Sequence, residues 1–84
     1  MNREVAIIIF NIQKRNFTVD LEVPLNISAN ELVIALNTAY DLGIDTTNIK
    51  NCYLKAENPN ALLRGNKMLS EYGIRNGSVI NFTE

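Results

Sequence analysis

Residues 69–80, with the sequence LSEYGIRNGSVI, are the most informative stretch for predicting the fold. Residues 69–74 have the pattern of one short helical turn that ends at Gly73, and Asn76-Gly77 is a strong turn signal. Residues 78–83 then predict a closing strand with Ile80 and Phe82 on one face. A lone closing strand needs a partner far away in sequence. We therefore place it beside the first strand, parallel to it, in the middle of a sheet.

The first third of the chain predicts a β-hairpin. Val5 to Ile12 is rich in β-branched and aromatic residues, as strands are. Phe17 to Val23 alternates between apolar and polar residues, which predicts a second strand with one wet face. The polar turn between these two segments favours antiparallel pairing, and Pro24 ends the second strand because it has no N–H for the ladder.

One helix and two weaker strands follow. Ser28 and Glu31 have the spacing of a capping box, so we predict a helix from Ala29, ended by Gly43 in a left-handed conformation. Ile49 to Lys55 predicts a third strand, with Cys52 and Leu54 pointing inward. Turns at Asn58-Pro59-Asn60 and Gly65-Asn66 bracket a short strand over Ala61 to Arg64. The sequence thus predicts one α+β domain over residues 1–84, a mixed sheet of four to five strands packed on one helix.

Charge and hydropathy exclude several classes of function. Eight basic and nine acidic residues give a net charge of −1, and Lys14-Arg15 is the only adjacent basic pair, so we expect no nucleic-acid binding. The longest apolar run, Val5 to Phe10, is too short to cross a membrane or to form a cleavable signal peptide. We expect a cytoplasmic protein that does not insert into membranes.

Few side chains here could perform chemistry. The chain has no histidine and a single cysteine, and we expect Cys52 to be a buried, inert thiol. Asp41 and Asp45 are the nearest approach to a metal site, and we interpret them as a solvated helix end. We therefore expect no catalytic residues, no cofactor and no metal.

The stretch 69–80 resembles the end of ubiquitin, where a Leu-Ser-Asp-Tyr-x-Ile segment leads into the final strand. The similarity extends back through Leu21-Glu22-Val23 and the helix start at Ser28. The resemblance implies the ubiquitin-like β-grasp fold. It also implies that Tyr72 buries its ring and hydrogen-bonds to backbone, a structural role.

Among bacterial families the chain is most similar to the YukD/EsaB family, small ubiquitin-like proteins encoded with type VII (WXG100) secretion systems. The similarity lies in the chain length, the early first strand, Asp20-Leu21, and Tyr72-Gly73-Ile74 with Asn76-Gly77 before the closing strand. It implies a non-enzymatic interaction module whose partner is a protein of a membrane-embedded secretion apparatus, or a second copy in a homodimer.

Two other functions stay open at this stage. Protein modifiers and sulfur carriers of the β-grasp fold react through a flexible tail ending in Gly-Gly, whereas Phe82-Thr83-Glu84 follows the last strand here, so we expect no conjugation. A purely structural domain within a larger assembly is the other alternative. Genes for WXG100 proteins nearby would favour secretion, and a gene for an adenylating enzyme would favour the modifier.

The sequence analysis places the partner site on the open face of the sheet. If Val5, Ile7 and Ile9 point into the core, an apolar stripe faces outward, and ubiquitin binds most partners through the equivalent face. The predicted site residues are Ala6, Ile8, Phe10, Ile12 and Val79. Two alternatives remain: Thr18, Glu22 and Lys55 shield this stripe, or the orientation of the first strand is the reverse.

Overall fold

A computed structural model describes residues 4–48 and 50–83, which form one mixed sheet and one α-helix. The strands are β1 (Val5–Ile12), β2 (Phe17–Pro24), β3 (Leu54–Glu57), β4 (Ala61–Leu63) and β5 (Val79–Phe82). The helix α1 spans Ala29–Tyr40, and 3-10 turns span Gln13–Arg15 and Leu69–Tyr72. No helix in this described part has the length and apolar character that a membrane crossing requires.

The sheet order is β2-β1-β5-β3-β4. β1 and β2 are antiparallel, with Val5 opposite Pro24 and Ile12 opposite Phe17. β5 runs parallel to β1 and antiparallel to β3. The α+β roll and the central, parallel closing strand are therefore both confirmed.

The start of α1 is as predicted, but its end is not. Ser28 Oγ accepts from the Glu31 amide at 3.1 Å, and Glu31 Oε1 accepts from the Ser28 amide at 3.4 Å, which completes the capping box. The left-handed residue that ends the helix is Asp41, with φ 52°. Gly43 is left-handed as predicted, with φ 75°, but it lies two residues beyond the helix end. Aspartate tolerates this conformation, and Arg15 stabilises the end by donating to the carbonyls of Tyr40 and Asp41, both at 2.7 Å.

The third strand begins later than predicted. Of the predicted segment, Ile49 lies outside the described residues, and Lys50 and Asn51 form a turn in which the Asn51 amide donates to the Asn48 carbonyl at 2.9 Å. β3 then runs from Leu54 to Glu57, so Cys52 precedes the strand. The inward orientation of Cys52 and Leu54 is confirmed, because both are buried.

The orientation predicted for β1 is wrong. Four of the five predicted site residues, Ala6, Ile8, Phe10 and Ile12, are at most 2% exposed and belong to the core beneath α1. The reverse orientation, considered as an alternative, is the correct one: Val5, Ile7 and Ile9 lie on the opposite face. The fifth residue, Val79, is half-buried on that opposite face beside Ile9.

The segment 69–80 folds as predicted. Gly73 ends the 3-10 turn with φ 82°. The half-buried Tyr72 donates its hydroxyl to the Arg64 carbonyl at 2.8 Å. The structural role that the resemblance implied for Tyr72 is therefore confirmed.

Candidate functional site: the open face of the sheet

The side of the sheet away from α1, called here the open face, is defined by the strand register. Successive side chains of a strand point to opposite faces, so each residue paired with Ile7, Ile9 or Asn11 shares their face. Across the five strands the open face consists of Val5, Ile7, Ile9, Asn11, Thr18, Asp20, Glu22, Val79, Asn81, Lys55, Glu57 and Leu62.

The part of the open face near the Asn76-Gly77 turn is apolar. Ile7 on β1 is 49% exposed, and its neighbours Val5, Ile9 and Val79 are half-buried. Backbone contacts hold Ile7 in place, because its N–H donates to Asn76 Oδ1 at 2.8 Å and its carbonyl accepts from the Gly77 amide at 2.9 Å. The predicted turn at Asn76-Gly77 thus fixes the strand that presents the exposed isoleucine.

A polar ladder of four side chains crosses the sheet beside this apolar strip. Thr18 Oγ1 donates to Asn11 Oδ1 at 3.2 Å, and Asn11 Nδ2 donates to Asn81 Oδ1 at 3.2 Å. Asn81 Nδ2 then donates to Glu57 Oε2 at 2.7 Å. Asn81 is only 6% exposed, so its amide needs these partners. The ladder therefore ties β2, β1, β5 and β3 together through side chains.

The charges on the open face are mostly negative. Asp20 and Glu22 lie opposite Ile9 and Ile7 along β2, and Glu57 lies opposite Val79 on β3. Lys55 is the one basic residue among the described members of the face. The apolar strip is thus flanked by carboxylates on both sides, an arrangement that favours a partner with basic residues around an apolar centre.

A cleft of about 370 Å³ adjoins the ladder. It lies beyond the last β3–β5 pair, and its lining includes Tyr53, Lys55, Asn81, Phe82 and Thr83. The cleft is open and its lining is mixed, which suits a side chain of a docked protein better than a buried small molecule.

The described residues provide no cluster of side chains suited to a metal ion. No group of three His, Cys, Asp or Glu side chains is placed there to hold a metal ion. Cys52 is buried and its thiol donates to Asn30 Oδ1 at 3.2 Å; burial raises the pKa of this thiol, and the charge of Asp45 adds to the effect. A protonated, buried thiol is a poor nucleophile.

The aspartates considered as a metal site have local structural roles. Asp41 ends α1. Asp45 Oδ1 accepts from the Thr47 hydroxyl at 2.6 Å and from the Thr47 amide at 3.0 Å. The bond from the Thr47 hydroxyl, followed by that from its amide, holds the pKa of Asp45 below its usual value.

Val79 is the one predicted site residue that the structure leaves on the open face; Ala6, Ile8, Phe10 and Ile12 cannot contact a partner there. The residues that sequence reasoning missed are Ile7, Ile9 and the polar ladder. Asn11 carried the signal that could have found them. A polar residue at position 11 of β1 is expected on the solvent-exposed face. Because side chains alternate between faces, Val5, Ile7 and Ile9 then lie on that face too.

Comparisons with known proteins agree with the fold. A family model described as "WXG100 protein secretion system (Wss), protein YukD" matches residues 5–81. The ubiquitin-like domain of Plasmodium falciparum Dsk2 is similar in structure, with a TM-score of 0.63 and 13% identity over 95% of this chain and 100% of that one. The C-terminal ubiquitin-like domain of mouse tubulin-specific chaperone e gives a TM-score of 0.70 and 10% identity over 100% and 92% of the two chains. No curated protein matches in sequence.

Proposed function

Because the chain belongs to the YukD family of the WXG100 protein secretion system, we propose that it is a non-enzymatic docking module of that system. It works in the cytoplasm and binds a protein component of the membrane secretion apparatus through the open face. The association is non-covalent.

The exposure of Ile7 is the observation that carries this proposal. An isoleucine that is 49% exposed on a sheet face, on the same face as Ile9 and Val79, is the kind of apolar surface that a partner covers. Burying such a side chain contributes about 1 to 2 kcal/mol to association. The backbone contacts of Ile7 to Asn76 and Gly77 present it in a fixed position, which lowers the entropic cost of docking.

The surrounding residues add selectivity. Asp20, Glu22 and Glu57 around the apolar strip repel an acidic partner and attract a basic one. The ladder residues Asn11 and Asn81 keep the neighbouring part of the face flat and polar. We propose a partner surface that carries apolar side chains bordered by lysine or arginine.

A pair of isoleucines provides a matched test. Ile7→Asp places a charge in the proposed interface, and Ile34→Asp places the same charge on α1, where Ile34 is similarly exposed at 41%. In the organism that encodes the chain, we expect Ile7→Asp to abolish secretion of WXG100 proteins and Ile34→Asp to preserve it. Both variants must accumulate to wild-type levels. Normal secretion with Ile7→Asp would contradict the proposal.

A second measurement separates docking from the modifier alternative. Cell extracts boiled in detergent and probed with antibody against the chain are expected to contain one band, with the same mass as the purified unmodified protein. A ladder of heavier bands that survives denaturation would indicate covalent attachment. Sedimentation of the purified protein measures separately whether it forms a homodimer. Docking through the open face does not require one.

A further inference from the structure

The outer edge of β2 is the longer of the two edges of the sheet. β2 has 8 residues and stands first in the sheet order. The opposite edge, β4, has only 3 residues. Natural proteins protect sheet edges by shortening or bending them, and β4 is protected in this way. β2 pairs with β1 along its whole length, without a bulge in the register, and its other edge is available for a further strand.

Hydrogen bonds at the end of the hairpin identify which residues of β2 face outward. The Leu25 amide donates to the Glu4 carbonyl at 3.0 Å, so odd-numbered residues direct their backbone groups toward β1. Along a strand of an antiparallel pair, the N–H and C=O groups of one residue point toward the partner strand and those of the next residue point away from it. Thr18, Asp20 and Glu22 therefore direct their N–H and C=O groups away from the sheet. Within the described part of the chain, no hydrogen bond to these groups is present.

The side chains along this edge specify the strand that fits. Asp20 and Glu22 project onto the open face, so residues placed opposite them in an added strand meet carboxylates. The intervening residues of the added strand lie on the helix side, next to Phe17, Val19 and Leu21. Phe17 is 37% exposed and packs its ring against Tyr40 of α1, with ring centroids 5.6 Å apart. One side of the added strand thus meets negative charge and the other meets apolar surface.

A second copy of the chain is a poor occupant of this edge. A two-fold antiparallel pairing that uses all three outward residues sets Asp20 against Asp20 of the other copy and leaves both Glu22 side chains opposite Thr18. Like charges directly opposite destabilise a strand pair. The carboxylates thus act against self-association and favour a partner of opposite charge.

We infer that the β2 edge binds an extended segment of another protein in which lysine or arginine alternates with apolar residues. The segment adds a sixth strand to the sheet, with main-chain hydrogen bonds to Thr18, Asp20 and Glu22. The site shares Asp20 and Glu22 with the open face. Its main-chain contacts lie on the strand edge and not on the apolar strip around Ile7, so it stands whether or not the open face binds the secretion apparatus.

The test uses the purified full chain and short capped peptides of the same 8-residue length as β2. One peptide alternates lysine and valine, and a second alternates glutamate and valine. At low salt we expect the lysine peptide to bind about tenfold tighter than the glutamate peptide. The lysine peptide places opposite charges across from Asp20 and Glu22, whereas the glutamate peptide places like charges there. Amide exchange should slow at Thr18, Asp20 and Glu22 when the lysine peptide binds. The amides of Val19 and Leu21, already bonded to β1, should change little.

Two controls make the test decisive. The double variant Asp20→Lys, Glu22→Lys, at exposed positions, is expected to reverse the preference and bind the glutamate peptide. A lysine peptide with proline at its centre keeps its charge, loses a backbone donor and should not bind. Equal binding of this peptide, or protection of residues around Ile7 instead, would overturn the inference. Ile7→Ala removes apolar surface from the open face without adding a charge opposite Glu22. It should leave peptide binding unchanged, so failure at the edge is separable from failure of the docking proposal.

Discussion

The side chains of Asn11 and Asn81 bond to each other across the parallel β1–β5 pair, with Nδ2 of Asn11 3.2 Å from Oδ1 of Asn81. The two residues lie at the same level of the sheet, on the face away from the helix. Their amides connect the hairpin to the second half of the chain. Glu57 extends this connection to β3 through a 2.7 Å bond from Asn81.

Asn81→Ala is expected to destabilise the fold by about 1–3 kcal/mol, because it removes a buried amide and leaves Asn11 and Glu57 without their partner. Urea unfolding monitored by circular dichroism measures the change. Thr18→Ala, at the exposed outer end of the same ladder, serves as the control and should cost no more than about 0.5 kcal/mol. Equal losses of stability from the two substitutions would contradict the claim that the buried Asn81 amide provides most of the stabilisation.

Tyr72→Phe tests the contact that joins the 3-10 turn to the residue after β4. The substitution removes the hydroxyl that donates to the Arg64 carbonyl at 2.8 Å and keeps the ring, so we expect a loss of about 1 kcal/mol. Tyr53→Phe is the matched control, because no hydrogen bond of the Tyr53 hydroxyl to another described residue is present. A Tyr53→Phe variant as unstable as Tyr72→Phe would contradict this assignment.

Arg15 stabilises the carboxyl end of α1 through two bonds to the carbonyls of Tyr40 and Asp41. Replacement of Arg15 by alanine should lower the free energy of unfolding by about 1 kcal/mol, since it removes both the charge at the helix end and the two donors. Arg15→Lys keeps the charge but not the planar guanidinium group. We expect its free energy of unfolding to lie between those of wild type and Arg15→Ala. A lysine variant as stable as wild type would assign the whole effect to charge.

The thiol of Cys52 should react slowly in the folded protein. Burial, assisted by the charge of Asp45, raises its pKa, so the reactive thiolate is scarce at mildly alkaline pH. Iodoacetamide should modify the protein in urea much faster than in buffer at the same pH. Equal rates would show that the site opens readily.

The raised pKa of Cys52 also makes the stability of the fold depend on pH. Because the folded state disfavours the thiolate, this contribution is fully present below the pKa of the unfolded thiol and is lost as the pH rises through the folded value. The Cys52→Ser variant, whose hydroxyl does not ionise in this range, should lose less stability than wild type between pH 8 and pH 10, about one unit on either side of the ordinary thiol value.

The sequence predicted the order of elements because its local signals were consistent. The capping box at Ser28, the alternation from Phe17 to Val23 and the turn at Asn76-Gly77 each correspond to an element of the structure. The end of α1 was misplaced because Arg15, distant in sequence, stabilises the helix end at Asp41.

The candidate site was harder to predict because Val5 to Phe10 is apolar at every position. A strand with apolar residues on both faces carries no period of two, so its orientation is set by neighbours rather than by its own pattern. Asn11 and its pairing with Thr18 and Asn81 fix that orientation in the structure. The polar ladder itself depends on register across four strands, which no local pattern encodes.

Site-specific photocrosslinking tests the docking claim most directly. A benzophenone amino acid replaces Ile7 in one strain and Ile34 in another, and irradiation of living cells is followed by purification under denaturing conditions and mass spectrometry. We expect a crosslink from position 7 to a component of the WXG100 secretion apparatus, and none to that component from position 34. Crosslinks to the apparatus from position 34 with none from position 7 would contradict it.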